Sequence, residues 1–245
     1  MDIKALPKKF YQRVNLSVKN QFSKYAKEYK NYNIIQQIVA KSLVRELKFQ
    51  PKRILELGCG SGQVYTHIFW DLDFYKAIDF SSSMCELHPK GENIEVKCFD
   101  FDTQEFLDEI KDNSYDIVLS SSALQWSKDL SKIIKHLSYI TNEINAVLFT
   151  SNTFKTIQEL TKTKSPILDE DSIKEAFSKY FKCEFETILY KLEFDNKKDL
   201  FDYIKKSGVS GEASLDFKDA KKLYKEYNLN YLEFEVIFVK TISKL

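Results

Sequence analysis

The apolar positions of this chain follow two different periods. From Phe22 they recur at Tyr25, Ala26 and Tyr29, then at Ile34, Ile35, Ile38, Val39 and Leu43. That spacing lines one helix face, so residues 18–48 are predicted to form one or two amphipathic helices, closed off by Pro51. Short apolar runs follow: RILELG (53–58), FYKAIDF (74–80), IEVKCFD (94–100), YDIVLSS (115–121) and AVLFTS (146–151). Helical spacing separates several of them, most clearly at Leu130, Ile133, Ile134 and Leu137, and VYTHIF (64–69) also reads as helical. Strands alternating with helices predict an α/β fold with a doubly wound, mainly parallel sheet.

After residue 152 the pattern changes. Ser172 and Glu175 have the spacing of a capping box and predict a helix through Phe181. Asn196 with Asp199 marks another helix start before LFDYIKK. CEFETILYKLEF (183–194) and YLEFEVIFVKTI (231–242) read as long strands; in the second, Leu232, Phe234, Val236 and Phe238 alternate as one buried face. No linker rich in Pro, Gly or Ser divides the chain. Residues 1–245 therefore read as one domain, with a helical lid at 18–48, a ligand-binding core at 50–152 and a helical cap at about 155–230, inserted before the last strand.

Composition narrows the class. The 245 residues are 43% hydrophobic and 14% aromatic, enough for a real core, and 30% charged with a net charge of +1. That balance argues against a general nucleic-acid binder. Arg13, Arg45 and Arg53 are the arginines, so bidentate phosphate recognition is scarcely available. The N-terminal MDIKALPKKFYQRV contains no apolar run suited to a signal peptide, and no stretch approaches the ~20 apolar residues of a membrane span. Cys59, Cys85, Cys98 and Cys183 form no CxxC pair, and His67, His88 and His136 are far apart. A disulfide framework or a zinc site is not expected. A reduced, soluble, cytoplasmic protein is.

In open α/β sheets ligands bind beyond the carboxyl ends of the strands. The first run ends in Glu56-Leu-Gly58-Cys-Gly60-Ser-Gly62, where alternate glycines permit a tight turn and close approach to the backbone. A dinucleotide fingerprint would need glycine at Gln63, so the segment is not that motif. The second run ends at Asp79-Phe80, ahead of SSSM; Asp79 is placed to accept from both ribose hydroxyls, or to cap the next helix. The third ends in Asp100-Phe101-Asp102. One reading gives Asp100 the adenine amino group with Phe101 beside the ring; another has one aspartate capping the helix that holds FLDEI. Two aspartates also suit a metal, but no third ligand accompanies them.

The pattern ExGxGxG at Glu56–Gly62 resembles motif I of the class I S-adenosylmethionine-dependent methyltransferases. A ligand with adenine, ribose and no pyrophosphate fits these strand ends, which leaves the fourth, SYDIVLSSSALQW (114–126), to line the methyl-transfer site. There the resemblance narrows. Ser120-Ser-Ser-Ala-Leu-Gln-Trp126 is similar to the S-N-x-A-x-Q-W segment of the malonyl-acyl-carrier-protein O-methyltransferases of biotin synthesis. Phe22-Ser-Lys-Tyr-Ala-Lys-Glu-Tyr29 with Gln36, Phe149-Thr-Ser-Asn with Ile157-Gln-Glu-Leu160, and Ile204-Lys-Lys-Ser-Gly-Val-Ser-Gly211 resemble further segments of that family. Departures exist: Asn142-Glu-Ile-Asn-Ala146 replaces the family's P-G-G turn, Ser121 stands where asparagine is frequent, and lysines follow Leu160 where relatives have arginine.

The resemblance implies a fold, a cofactor and roles. The fold would be the Rossmann-like methyltransferase fold, and the cofactor S-adenosylmethionine with no metal. Glu56, Gly58, Gly60, Gly62, Asp79, Phe80, Met84, Asp100, Phe101 and Ser120 would bind it. Tyr29, Gln125 and Trp126 would wall the reacting groups, and Lys164 and Tyr231 would meet the substrate. The substrate would be malonyl on acyl carrier protein, an acidic partner for Lys205, Lys206, Lys218, Lys221, Lys222 and Lys225. Two alternatives stay open: methylation of another small molecule, such as a quinone precursor or fatty acid, and non-catalytic binding of S-adenosylmethionine.

Overall fold

Ile54, Leu55 and Leu57 have no solvent exposure in the computed structural model, which describes residues 33–206 and 217–245. They belong to β1 (Arg53–Leu57), which lies near the middle of a seven-stranded sheet and is covered on both faces. A continuous apolar run with no polar alternation is what such a strand requires. Its companions are β2 (Phe74–Asp79), β3 (Ile94–Cys98), β4 (Ile117–Ser121), β5 (Ile144–Phe149), β6 (Phe181–Glu193) and β7 (Tyr231–Lys244). The spatial order is β3-β2-β1-β4-β5-β7-β6. β1 to β5 run parallel, whereas β7 is antiparallel to both of its neighbours.

Each face carries its own core, because successive side chains of a strand point to opposite sides. On one face Ile54, Tyr75, Ile117, Leu119 and Val147 pack with Ile35, Val39 and Leu43 of α1 (Ile34–Arg45). On the other, Leu55, Ile78, Val118 and Leu148 meet Ile133, Ile134 and Leu137 of the helix Leu130–Ile140, and Phe177 of Glu170–Ser178. Two helices between β6 and β7, Lys197–Lys206 and Phe217–Glu226, add Leu200, Tyr203 and Leu223 to the first core, joined by Tyr227 just after the second. Residues 18–32 of the predicted lid lie outside the described residues.

Three local expectations are corrected. The 64–69 segment forms one 3-10 turn, Tyr65–His67, rather than an α-helix. Val64, Tyr65, Thr66, His67 and Ile68 are all weak helix formers. The helix expected from Ser172 through Phe181 spans Glu170–Ser178, and Phe181 begins β6. Its cap is Asp169, whose carboxylate accepts from the Ser172 N–H at 2.7 Å. In β7 the alternation breaks. Residues 234–237 are all buried because that strand is internal to the sheet, while Phe238 is only half-buried. The Asn196–Asp199 signal does cap a helix: the Asp199 N–H donates to Asn196 Oδ1 at 3.0 Å, and Asn196 Nδ2 donates to Asp199 Oδ2 at 2.8 Å.

Strand register sets up the site. Leu57 pairs with Ile78 and Glu56 with Leu119, so the carboxyl ends of β1, β2 and β4 finish side by side. Among the described residues no helix is long and apolar enough to cross a membrane.

The capping correction is testable. Asp169→Ala is expected to lower unfolding stability by about 1 kcal/mol, the usual loss for an N-cap acid. Urea denaturation of that variant beside Ser172→Ala measures it; a larger loss from the serine change would return the cap to the Ser172 position.

Candidate functional site

Where β1, β2 and β4 end, the chain encloses an open cavity of about 660 Å³. Two buried carboxylates, Glu56 and Asp79, reach it, and Phe80, Met84, Phe101 and Trp126 give it apolar walls.

The glycine loop forms the floor. Gly58 and Gly60 have positive φ, +71° and +52°, a backbone region open chiefly to glycine. A Cβ on Gly58 would sit 2.0 Å from the Ala123 Cβ, so the loop packs directly against the segment after β4. At Gly60 an added Cβ meets nothing within 4 Å, and a side chain there would project into open space beside the cavity. The Gly60 N–H donates to Asp79 Oδ2 at 2.9 Å, and the Ser81 N–H donates to Asp79 Oδ1 at 2.9 Å. One carboxylate thus fixes both the loop after β1 and the turn after β2. Burial pushes the Asp79 carboxyl up to about 6, against the pull of those two amide donors. The helix after β2 is capped by Ser81, whose Oγ accepts from the Met84 N–H at 3.4 Å.

The end of β4 is strained. Ser122 has φ +60°, and its backbone N–H donates to the Val147 carbonyl at 2.8 Å. Gln125 Nε2 donates to the Ser122 carbonyl at 2.8 Å and holds that conformation from behind. Among the described residues the buried Ser121 and Ser122 hydroxyls have no hydrogen-bond partner, although both residues line the cavity. Unpaired buried hydroxyls at a cavity wall are groups that a polar ligand can satisfy.

The structure therefore gathers Glu56, Gly58, Gly60, Asp79, Phe80, Met84, Phe101 and Trp126 around one space. Other residues singled out from the sequence lie elsewhere. Ser120 is fully buried, and its hydroxyl donates to the Leu57 carbonyl at 2.9 Å, stapling β4 to β1 just before the glycine loop. Asp100 turns its carboxylate back to accept from the Asp102 N–H at 2.9 Å and does not line the cavity; the following helix is capped by Thr103. Asp102 accepts instead from the Lys128 N–H, at 3.0 and 3.1 Å. Gly62 packs against Pro89 and His88. Gln125 supports the wall without lining it, Lys164 is exposed, and Tyr231 takes a 3.3 Å hydrogen bond from Lys191. Tyr29 lies outside the described residues.

Gln36 and Cys59 also line the cavity but were not assigned to it from the sequence; of the serine run assigned to it as part of 114–126, Ser121 and Ser122 do line it. Gln36 had a signal, its spacing after Tyr29. The serines had one too: three in a row obscure which of them faces inward, and a strand period of two does not decide where the strand stops.

An adenosyl ligand with an amino-acid tail fits these residues. Asp79 suits a vicinal diol, the aromatic and Met84 walls suit a purine, and Glu56 suits an ammonium. Among the described residues no cluster of three or more His, Cys, Asp or Glu is placed to hold a metal. Asp79→Ala is expected to weaken S-adenosylmethionine binding tenfold or more while far-UV circular dichroism stays native, since charge-assisted hydrogen bonds contribute about 1.5–3 kcal/mol. In the wild type, affinity should fall as pH drops through about 6, where Asp79 takes up a proton. Calorimetric titrations across that range check both; equal affinity for a folded Asp79→Ala protein removes Asp79 from the binding site.

Comparison with known proteins agrees with this geometry. Residues 55–143 match a methyltransferase domain. A malonyl-[acyl-carrier protein] O-methyltransferase of Bacillus cytotoxicus is 26% identical over 85% of this chain and 81% of its own length. The YcgJ protein of Bacillus subtilis superposes with a TM-score of 0.63 at 12% identity, over 85% of this chain and 99% of that one. A Haemonchus contortus phosphoethanolamine N-methyltransferase solved with S-adenosylhomocysteine gives 0.58 at 15%, over 94% of this chain and 61% of that one. With the domain match and relatives named methyltransferases, the chain is an S-adenosylmethionine-dependent methyltransferase of Rossmann-like fold, similar in sequence to the malonyl-acyl-carrier-protein O-methyltransferases.

Proposed function

We propose that this enzyme methylates the free carboxylate of malonyl carried on an acyl carrier protein, giving the methyl ester from which pimeloyl and then biotin are built. The observation that carries this reading is the similarity to relatives of that name over 85% of the chain. The chemistry of the cavity supports it. Its lining contains no histidine or lysine among the described residues, and its two carboxylates, Glu56 and Asp79, are assigned to the cofactor. A carboxylate acceptor needs no general base, since it is already anionic near neutral pH.

S-adenosylmethionine supplies a methyl group activated on a sulfonium. The protein's task is to align the acceptor oxygen with it and to keep water out. Asp79 and Glu56 orient the cofactor's polar groups. Trp126, held by the 3-10 turn Leu124–Trp126, and Gln125, through the Ser122 carbonyl, fix the wall beside the reacting groups. Tyr29 is assigned as the residue that closes the acceptor side. Lys164, exposed just after the helix Lys155–Thr161, is assigned to the substrate's negative charge, with Tyr231 on the same substrate. The carrier's acidic surface would meet Lys205, Lys206, Lys221 and Lys222; of these, Lys221 and Lys222 are exposed on the helix Phe217–Glu226.

The direct test is incubation with S-adenosylmethionine and malonyl-acyl carrier protein, followed by mass analysis of the carrier. One added methyl is expected. Transfer to a free fatty acid or quinone precursor, with none to the carrier, would replace this reading with another small-molecule methyltransferase.

Two variants probe the assigned roles. Tyr29→Phe is expected to lower kcat several-fold with cofactor affinity unchanged. Lys164→Ala is expected to raise KM for the malonyl carrier several-fold and to spare cofactor affinity, with Lys162→Ala as control. Steady-state kinetics with the carrier substrate decide both, and wild-type values would return Tyr29 to packing and Lys164 to solvent.

A further inference from the structure

Behind the cavity lies a buried cluster that the methyl transfer itself does not use. Glu56 is 1% exposed, Tyr75 0% and His88 2%. The Tyr75 hydroxyl donates to Glu56 Oε2. His88 Nε2 lies 3.9 Å from the same oxygen, too far for a hydrogen bond but close enough for a charge pair. The other oxygen, Oε1, accepts no hydrogen bond among the described residues, and Glu56 lines the cavity. Glu56 is thus held at one oxygen and open at the other.

The proton state of His88 follows from its neighbours. Nδ1 is 2.8 Å from the Pro89 carbonyl oxygen. A carbonyl can only accept, so Nδ1 carries a hydrogen. In the neutral ring Nε2 would then present a bare lone pair, buried and without a hydrogen-bond partner among the described residues, toward a carboxylate oxygen. A proton on Nε2 converts that repulsion into an ion pair. Gly62 permits the close packing, since a Cβ there would lie 3.2 and 3.3 Å from His88 Cδ2 and Nε2.

The groups around the ring come from several elements: Glu56 on β1, Tyr65 in the 3-10 turn, Tyr75 and Asp79 on β2, and Cys85 on the helix Ser82–Leu87. Of these, Glu56 and Asp79 are the carboxylates. Burial pulls the His88 imidazole down, and the Glu56 carboxylate more than offsets this, leaving it above its usual 6.5.

We propose that His88 is a proton-linked positioning residue for the cofactor. Without ligand, its Nε2 proton neutralises Glu56. When the cofactor's ammonium reaches Oε1, the Nε2–H bond breaks and the proton passes to solvent. Two cations on one buried carboxylate repel each other, so the arriving ammonium lowers the proton affinity of His88. Tyr75, a neutral donor, stays and keeps Glu56 oriented. The device makes the amino-acid end of the ligand, rather than its adenosine, the group that His88 senses. The inference rests on the cofactor assignment, and its test separates the two.

The chain has three histidines, so a ¹⁵N-histidine titration by NMR resolves His88 in the intact wild-type protein. S-adenosylhomocysteine serves as a stable ligand with the same amino group, and 5′-methylthioadenosine as one lacking it. The expected result is a fall of the His88 midpoint by about one pH unit with the first ligand and none with the second. By linkage this is about a tenfold gain in affinity as pH rises through the two midpoints. His88→Gln should remove that part of the pH dependence in calorimetry and leave the part below pH 6 that belongs to Asp79. If S-adenosylhomocysteine binds and the His88 midpoint does not move, or moves equally with methylthioadenosine, the proton linkage is overturned and the cofactor assignment stands. No binding of either ligand would overturn the cofactor assignment itself.

Discussion

The Asp79 carboxylate joins two backbone turns that belong to different strands, and the geometry of the cavity depends on this bridge. It accepts from Gly60, one turn beyond β1, and from Ser81, one turn beyond β2. Both donors are amides freed where the strands stop. Full burial makes the arrangement costly, and it lifts the carboxyl from 3.8 to about 6. Because the folded-state value lies above the unfolded one, stability is lost as pH rises from about 4 to about 6. Above that window the ionised group costs on the order of 2–3 kcal/mol. A ligand that brings hydroxyl donors to the carboxylate relieves part of that cost, so the site is destabilised in the way that favours occupation.

The same economy of strand ends explains the wall opposite. Ser120, Ser122 and Gln125 do not share one role, although they are neighbours in sequence. Ser120 ties β4 to the β1 carbonyl at Leu57, Ser122 turns the chain with positive φ, and Gln125 holds that turn. Gly58 lets this turn come into contact with the glycine loop, where any Cβ would overlap Ala123. The loop and the wall are therefore built against each other, and a change in either displaces both.

Much of this was legible in the sequence, for identifiable reasons. The parallel strands announced themselves because burial on both faces demands unbroken apolar runs, and the glycine spacing marked the loop because positive φ leaves few other choices. Strand ends were less legible. Three serines in a row carry no period, so the inward-facing members, Ser121 and Ser122, could not be told from Ser120. Asp100 and Asp79 look alike in sequence, each closing an apolar run. What separates them is the partner: Asp79 meets amides from two turns at the cavity, whereas Asp100 satisfies its own loop through the Asp102 N–H. The Glu56–Tyr75–His88 cluster was hidden because its members are 19 and 13 residues apart and meet only across the sheet.

The two halves of the site differ in how they are built. Most of what is assigned to the cofactor sits on strand ends and the short turns after them, braced by backbone hydrogen bonds across β1, β2 and β4, with Met84 on the helix Ser82–Leu87. The residues assigned to the acceptor are drawn from the N-terminal segment, from the exposed stretch after Lys155–Thr161 and from the edge where β7 begins. Rigid strand ends suit a cofactor that is the same in every turnover. Lys164, in a stretch outside the sheet, can change without disturbing the strand register, whereas Tyr231 is paired with Glu193 in the ladder. The matched methyltransferase domain, residues 55–143, takes in most of β1 and all of β2 to β4, and so carries the strand ends assigned to the cofactor.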